Sequence, residues 1–258
     1  MASIKELLTS VKDESPVWVG RTKLLEMLTH IGESNTSSCM YVCPGDHSDW
    51  IGSDQIWKRR WDVLAAQIGE EVLSNDTGIL CIQSGDDGLV VVPPFPVAQN
   101  IKFDHLNYDE LYKCLSLDYL VGVVLLRLGR FSVAIFKGTD LVVSKTDSRF
   151  VKGRHKKGGS SQRRFERTRE GQSRKLFDKV CDTVGNIFEP YTRTLDYVLL
   201  GGDSITINNF LKVCPKMESL KSKILPRRLN IRDPKRDTLE HVGNLLLQSR
   251  LYFVRWDQ

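Results

Sequence analysis

The chain has no long apolar run. Its longest, around Tyr119 to Leu128, is interrupted by Gly122 and Arg127 and falls far short of the roughly 20 residues a membrane-spanning helix needs. The N-terminus, MASIKELLTSVKDESP, has neither the apolar core of a secretory signal nor the acid-poor, Arg-rich character of a transit peptide. A cytoplasmic protein with no membrane partner is the expectation. Histidine is scarce and scattered: His30, His47, His105, His155 and His241 assemble no Ser-His-Asp or Cys-His set from local sequence. The six cysteines are scattered as well, mostly in apolar surroundings, and read as reduced thiols packed in the core. Cys39, Cys43 and His47 in CMYVCPGDH come nearest to metal-ligand spacing. The second pair of a structural zinc site is missing, and the alternation through Cys39, Tyr41 and Cys43 fits a strand. No metal and no cofactor are expected. The G-x-x-x-x-G-K-[ST] spacing of a nucleotide-binding loop is absent too, as are internal repeats and a low-complexity tail.

What is present is a concentration of positive charge. Ser148 to Lys175 reads SRFVKGRHKKGGSSQRRFERTREGQSRK, with eleven Lys and Arg against Glu166 and Glu170, a net +9. The whole 258-residue chain is +5, so the remainder is −4. A slightly acidic protein therefore carries one basic projection.

The flanking patterns place that projection in a fold. Residues 3 to 12 and Arg21 to Ile31 read as helices, the second with Leu24, Leu25, Leu28 and Ile31 on one face. CMYVC is a strand candidate, and Ser53 to Leu73 carries a further helical pattern in which Trp57 and Trp61 read as packing residues. GILCIQ and GLVVVPPFPV form a hairpin signal around Ser84-Gly85-Asp86-Asp87-Gly88, ended by Pro93, Pro94 and Pro96. A connecting segment with a short helix, YDELYKCLS, follows. From Leu120, VGVVLLRLGRFSVAIFKGTDLVVSK predicts a three-stranded antiparallel meander turning at Gly129 and at Gly138-Thr139-Asp140. A long helix then begins near Ser160 or Ser161. Its back half has an apolar face (Leu176, Phe177, Val180, Val184, Ile187, Phe188), whereas its front half has only Phe165 and should project from the core. Beyond Pro190, YVLLGGD reads as a strand, SITINNFLKVC as a helix, ILPRRLNI as a strand broken at its start and DTLEHVGNLLLQSRLYF as a helix. The fold class is α/β: an α+β N-terminal module at 1–92, a connection at 93–118, and a second domain at 119–258 with a mixed sheet, packed helices and the projecting loop-helix.

Cations of one sign with few apolar anchors are the footprint of phosphate binding. Neutralising about six phosphates gives a log-log salt slope of about −5 on duplex nucleic acid. Arg149, Lys152, Arg154, His155, Lys156, Lys157, Arg163, Arg164, Arg167 and Arg169 are the candidates for nucleic-acid binding, RNA being what the resemblance given below implies. Among them lies Gly158-Gly159-Ser160-Ser161-Gln162, whose consecutive glycines permit close backbone approach. If this tip catalyses, Gln162 is the group available. An amide is no strong base, but it donates and accepts hydrogen bonds and can orient a water toward an ester held by something else.

KGRHKKGGSSQRRFERTRE resembles the loop and following helix in the central domain of eukaryotic and archaeal class-one release factors. There a Lys/His/Gly/Arg-rich segment leads into Gly-Gly-Gln and a helix with an Arg-Phe pair, matched here by Arg164-Phe165. PPFPV and YVLLGGD resemble flanking parts of those proteins. Aligned on Arg-Phe without a gap, the family's glutamine falls on Ser160, and a glutamine stands two residues on as Gln162. The Gly-x-x-Gln arrangement is similar to the Vms/ANKZF-like (VLRF) release factors. That resemblance implies a peptidyl-tRNA hydrolase of ribosome-associated quality control. It would act as a monomer on the large ribosomal subunit, contacting ribosomal RNA and peptidyl-tRNA, with Gly158, Gly159, Ser160, Ser161 and Gln162 at the catalytic tip. The alternatives are a non-catalytic ribosome- or RNA-binding paralogue and, ranked lowest, a nuclease.

Overall fold

The computed structural model describes residues 16–32, 37–45, 48–116, 118–153 and 161–256. The helix expected over residues 3 to 12 lies outside these. Two compact units result, one from the first 117 residues together with 246–258, the other from 118–245.

The first unit is built on a six-stranded sheet. Its strands are β1 (Val17–Val19), β2 (Ser37–Val42), β3 (Ile79–Ser84), β4 (Asp87–Val92), β5 (Ile101–Phe103) and β11 (Ser249–Arg255), in the order β1-β11-β4-β3-β2-β5, all antiparallel. Strand alternation feeds two cores. Leu89 and Val91 face a cluster with Leu24 and Leu28 of α1 (Arg21–Gly32) and Leu111 of α5 (Asp109–Ser116). Val90 and Val92 face the other, with Trp57 and Leu64 of α3 (Gln55–Ile68). The helical pattern over 53–73 is not one helix. It is divided into α3 and α4 (Glu70–Leu73) at Gly69, whose φ of 86° a helix cannot accept, and a short α2 (Ser48–Gly52) precedes it.

One sequence expectation is corrected here. The last apolar segment is not the end of a helix, and it does not belong with residues 119–245. Ser249–Arg255 forms β11 between β1 and β4. Both faces of the sheet are covered, so Leu251 lies in one core and Tyr252 and Val254 in the other, and no clean alternation appears in the sequence.

The second unit holds a five-stranded sheet, order β10-β9-β6-β7-β8. The meander is β6 (Leu120–Arg127), β7 (Arg130–Lys137) and β8 (Asp140–Ser148), turning where Gly129 and Gly138 take positive φ. β9 (Tyr197–Gly202) adds in parallel to β6, and β10 (Ile224–Leu229) in parallel to β9, with an irregularity beside Pro226. One face packs against α6 (Ser161–Phe188), α7 (Ser204–Leu211) and α8 (Pro215–Glu218). A final helix, α9 (Arg236–Leu246), ends the unit. The mixed sheet with its helices is α/β, the class read from the sequence. Among the described residues no helix is long and apolar enough to cross a membrane.

The cysteines are corrected in part. Cys39, Cys81 and Cys114 are buried free thiols. Burial pushes Cys39 up to about 11 and Cys114 to about 12, so neither offers a thiolate at neutral pH. Cys181 and Cys214, in contrast, form a disulfide with Cα atoms 5.5 Å apart. Cys181 sits on the buried face of α6 and Cys214 caps the start of α8. The packing of those helices on one sheet face brings together two thiols 33 residues apart.

Candidate functional site

The site grows from the junction of β8 and α6. From Leu176 onward α6 places Leu176, Phe177, Val180, Val184 and Phe188 at helical spacing, and all are buried against the sheet. N-terminal to Leu176 no side chain described on this helix is buried. Gln162, Arg163, Arg164, Glu166 and Arg167 are exposed, Phe165 is 43% exposed, and Arg169 is partly covered. Fifteen residues of helix, about 22 Å at 1.5 Å each, thus extend beyond the core. Gly171 interrupts nothing, for the helix runs through it.

The segment leading into the loop is fastened along this helix. Asp147 pairs with Lys179 at 2.7 Å, and Lys179 Nζ also donates to the Ser148 carbonyl at 3.3 Å. Hydrogen bonds from Lys179 and then from the Ser148 N–H hold the Asp147 carboxyl below the usual range. Higher up, the Lys152 N–H donates to Gln172 Oε1 at 2.9 Å and Arg169 Nε to the Lys152 carbonyl at 3.2 Å. The Lys152 ammonium lies 5.6 Å from the centre of the Phe165 ring. The Arg149 N–H is held by the Gly129 carbonyl at 2.9 Å. Lys152 and Arg169, read from the sequence as RNA contacts, therefore also tie the loop's incoming leg to the helix. Asp147, Gln172 and Lys179 were not legible as partners, since each bond joins residues about 20 to 32 positions apart.

Arg154, His155, Lys156, Lys157, Gly158, Gly159 and Ser160 lie outside the described residues. The helix opens at Ser161. Gln162, in its first turn, donates from Nε2 to Glu166 Oε1 at 3.0 Å. A carboxylate can only accept, so this bond fixes which end of the amide it takes and leaves Oε1 as an acceptor facing solvent. No group of three or more His, Cys, Asp or Glu side chains among the described residues is arranged to hold a metal ion. Cys39 instead contacts the carbonyls of His105 and Asn107 at 3.5 and 3.3 Å.

Known proteins resemble this chain over half of its length or more. Peptide chain release factor subunit 1 of Archaeoglobus fulgidus is 31% identical over 138 residues, 53% of this chain and 34% of that protein. The Picrophilus torridus protein of the same name is 27% identical over 137 residues, 52% of this chain and 33% of that one. The matched region thus spans about a third of the length of these curated relatives. Among solved structures, an archaeal translation termination factor, aRF1, covers 83% of this chain and 67% of its own at 15% identity and a TM-score of 0.37. The Saccharomyces cerevisiae factor Dom34 covers 86% and 60% at 9% identity and a TM-score of 0.31. Both superpositions are too loose to argue from. The model of the Actinobacteria/chloroflexi VLRF1 release factor family matches residues 119–252, more than half of the chain. This protein, with its cationic helix and amide-bearing first turn, belongs to that family of release-factor-like translation factors.

Proposed function

We propose that the chain is a peptidyl-tRNA hydrolase that frees stalled nascent chains on the large ribosomal subunit, in rescue or ribosome-associated quality control. The observation that carries this reading is the outer half of α6. It is a solvent-exposed cationic helix whose first turn bears Gln162, with the amide oxygen available as an acceptor. The loop ahead of it, with Gly158, Gly159 and Ser160, has no bulk at its glycines to keep an ester away.

In this mechanism the cations dock on ribosomal RNA and tRNA phosphates. The two glycines let the backbone approach the ester that joins nascent chain to tRNA. Gln162 accepts a hydrogen bond from the attacking water, while its Nε2 is tethered by Glu166. The water oxygen bonds to the ester carbonyl carbon, the bond to the tRNA ribose oxygen breaks, and the water's protons end on the new carboxyl group and the freed hydroxyl. The amide exchanges no proton. Its contribution is position, and most of the acceleration comes from holding water and ester together. No cofactor takes part.

The experiment is release of a labelled peptide from stalled large subunits. Release is expected from the wild-type chain, with loss in Gln162→Ala and activity kept in Ser160→Ala. Loss in Ser160→Ala alone would transfer the role to Ser160, the residue in the ungapped register. Salt-sensitive binding without release would favour a non-catalytic paralogue. A trimmed tRNA 3′ end after release would mean a nuclease.

A further inference from the structure

A groove in the second unit, about 950 Å³ in volume, runs beside the base of the exposed half of α6. One wall is α6 around Glu170, Arg174 and Phe177, spaced at i, i+4 and i+7; the other is α7 with Ile205 and Asn209, continued by Lys212 at its C-cap. The β6–β7 turn, Arg127 and Leu128, closes one end. One feature, its apolar lining, sets it apart from the rest of the exposed half of α6. Its lining is apolar at Leu128, Phe177, Ile205 and Val213. Two of these are left in water, Ile205 at 66% exposure and Leu128 at 38%. Its rim is cationic at Arg127, Arg169, Arg174 and Lys212.

The charges facing the groove do not cancel. Asp203 is engaged at the start of α7, where its carboxylate accepts from the Thr206 N–H at 2.8 Å and hydroxyl at 2.5 Å. Arg174 has an exposed contact with Asp178 at 3.5 Å, a weak pairing. Arg127 and Lys212 have no ion pair among the described residues, and Glu170 is the remaining carboxylate.

We propose that this groove binds an acidic amphipathic helix of a partner protein. Helical walls about two turns long and apolar side chains in the lining fit the helix-in-groove mode, in which apolar residues at i, i+3/i+4 and i+7 enter the groove. The cationic rim selects acidic flanks and rejects basic ones. A nucleic-acid strand is the poorer match. Phe177 is nearly buried and gives no stacking face, while the exposed Ile205 and Leu128 would meet phosphates.

The test uses the full chain and a fluorescent synthetic 18-residue peptide with leucine at every third or fourth position and glutamate between. The comparison probes are a scrambled peptide of equal charge and a short single-stranded RNA. The expected result is saturable binding of the first peptide, weakened about tenfold or more by scrambling and by Ile205→Asp or Lys212→Glu. Peptide release from stalled subunits should be unchanged in Ile205→Asp, which separates this surface from the hydrolysis reading. Absence of binding, or equal binding of both peptides, overturns the proposal. So does displacement by RNA whose own binding is lost in Lys212→Glu and kept in Ile205→Asp, for that marks a phosphate site.

Discussion

The two halves of α6 share one backbone helix and are held in place by different means. Residues 176–188 are held by their apolar face, packed with the sheet and bonded to α8 through Cys181. Residues 161–175 lack an apolar face and are accompanied instead by the leg 147–153, joined to them through Gln172 and Arg169 and rooted on the inner half by the Asp147–Lys179 pair. Burial fixes the inner half at several kcal/mol per large side chain. The outer half has bonds worth roughly 1 kcal/mol each, so it is extended by being continuous with the inner half. A helix anchored at one end can present cations to a polyanion without burying any of them.

The sharpest way to break this contrast is to remove an anchor. Phe188 lies against Gly122, where an added Cβ would come within 2.7 Å of its ring. Phe188→Ala should cost about 3–5 kcal/mol, read as a lower denaturant midpoint. Arg167→Ala, on the exposed half, should leave that midpoint within about 0.5 kcal/mol while lowering the salt slope of RNA binding by about 1. A comparable loss of stability in both variants would erase the distinction. Next comes the disulfide. Replacing Cys181 and Cys214 together by serine should cost about 2–4 kcal/mol, seen as a fall in melting temperature that reductant reproduces in the wild type and not in the variant.

Smaller effects test the leg. Gln172→Ala should lower hydrogen-exchange protection at the Lys152 amide by about 1 kcal/mol, with the amides of Val180 and Val184 unchanged. The smallest is a pH effect. The Asp147 carboxyl titrates lower folded than unfolded. Its pairing therefore stabilises the leg above the ordinary carboxylate value of about 4 and is lost as pH falls through the folded value. Protection of the Ser148 amide should drop on acidification, and Asp147→Asn should remove that dependence.

Much of this contrast was legible in the sequence, because it is written in local periodicity. The apolar positions from Leu176 to Phe188 and their absence before Leu176 mark the two halves. Gly129 and Gly138 mark the turns that lead to them. What was not legible depends on distant partners. Only Leu247 and Gln248, neither Gly nor Pro, separate SRLYFVR from the helix before it, and its neighbours β1 and β4 make it a strand. Cys181 and Cys214 carry no spacing signature, and it is the packing of α6 against α8 that makes them a pair. The groove draws its lining from three separate segments, none unusual alone. The Gly158–Ser160 tip was legible as a motif, and its roles rest on the family resemblance and on Gln162.

The central claim is a division of labour within the outer half, with arginines for affinity and Gln162 for chemistry. Single-turnover peptide release, measured against protein concentration, tests it most directly. Gln162→Ala is predicted to lower the plateau rate while leaving the half-saturating concentration unchanged. Combined replacement of Arg163, Arg164 and Arg167 by alanine is predicted to raise that concentration and keep the plateau. A Gln162→Ala protein that reaches the wild-type plateau at higher concentration would contradict the account.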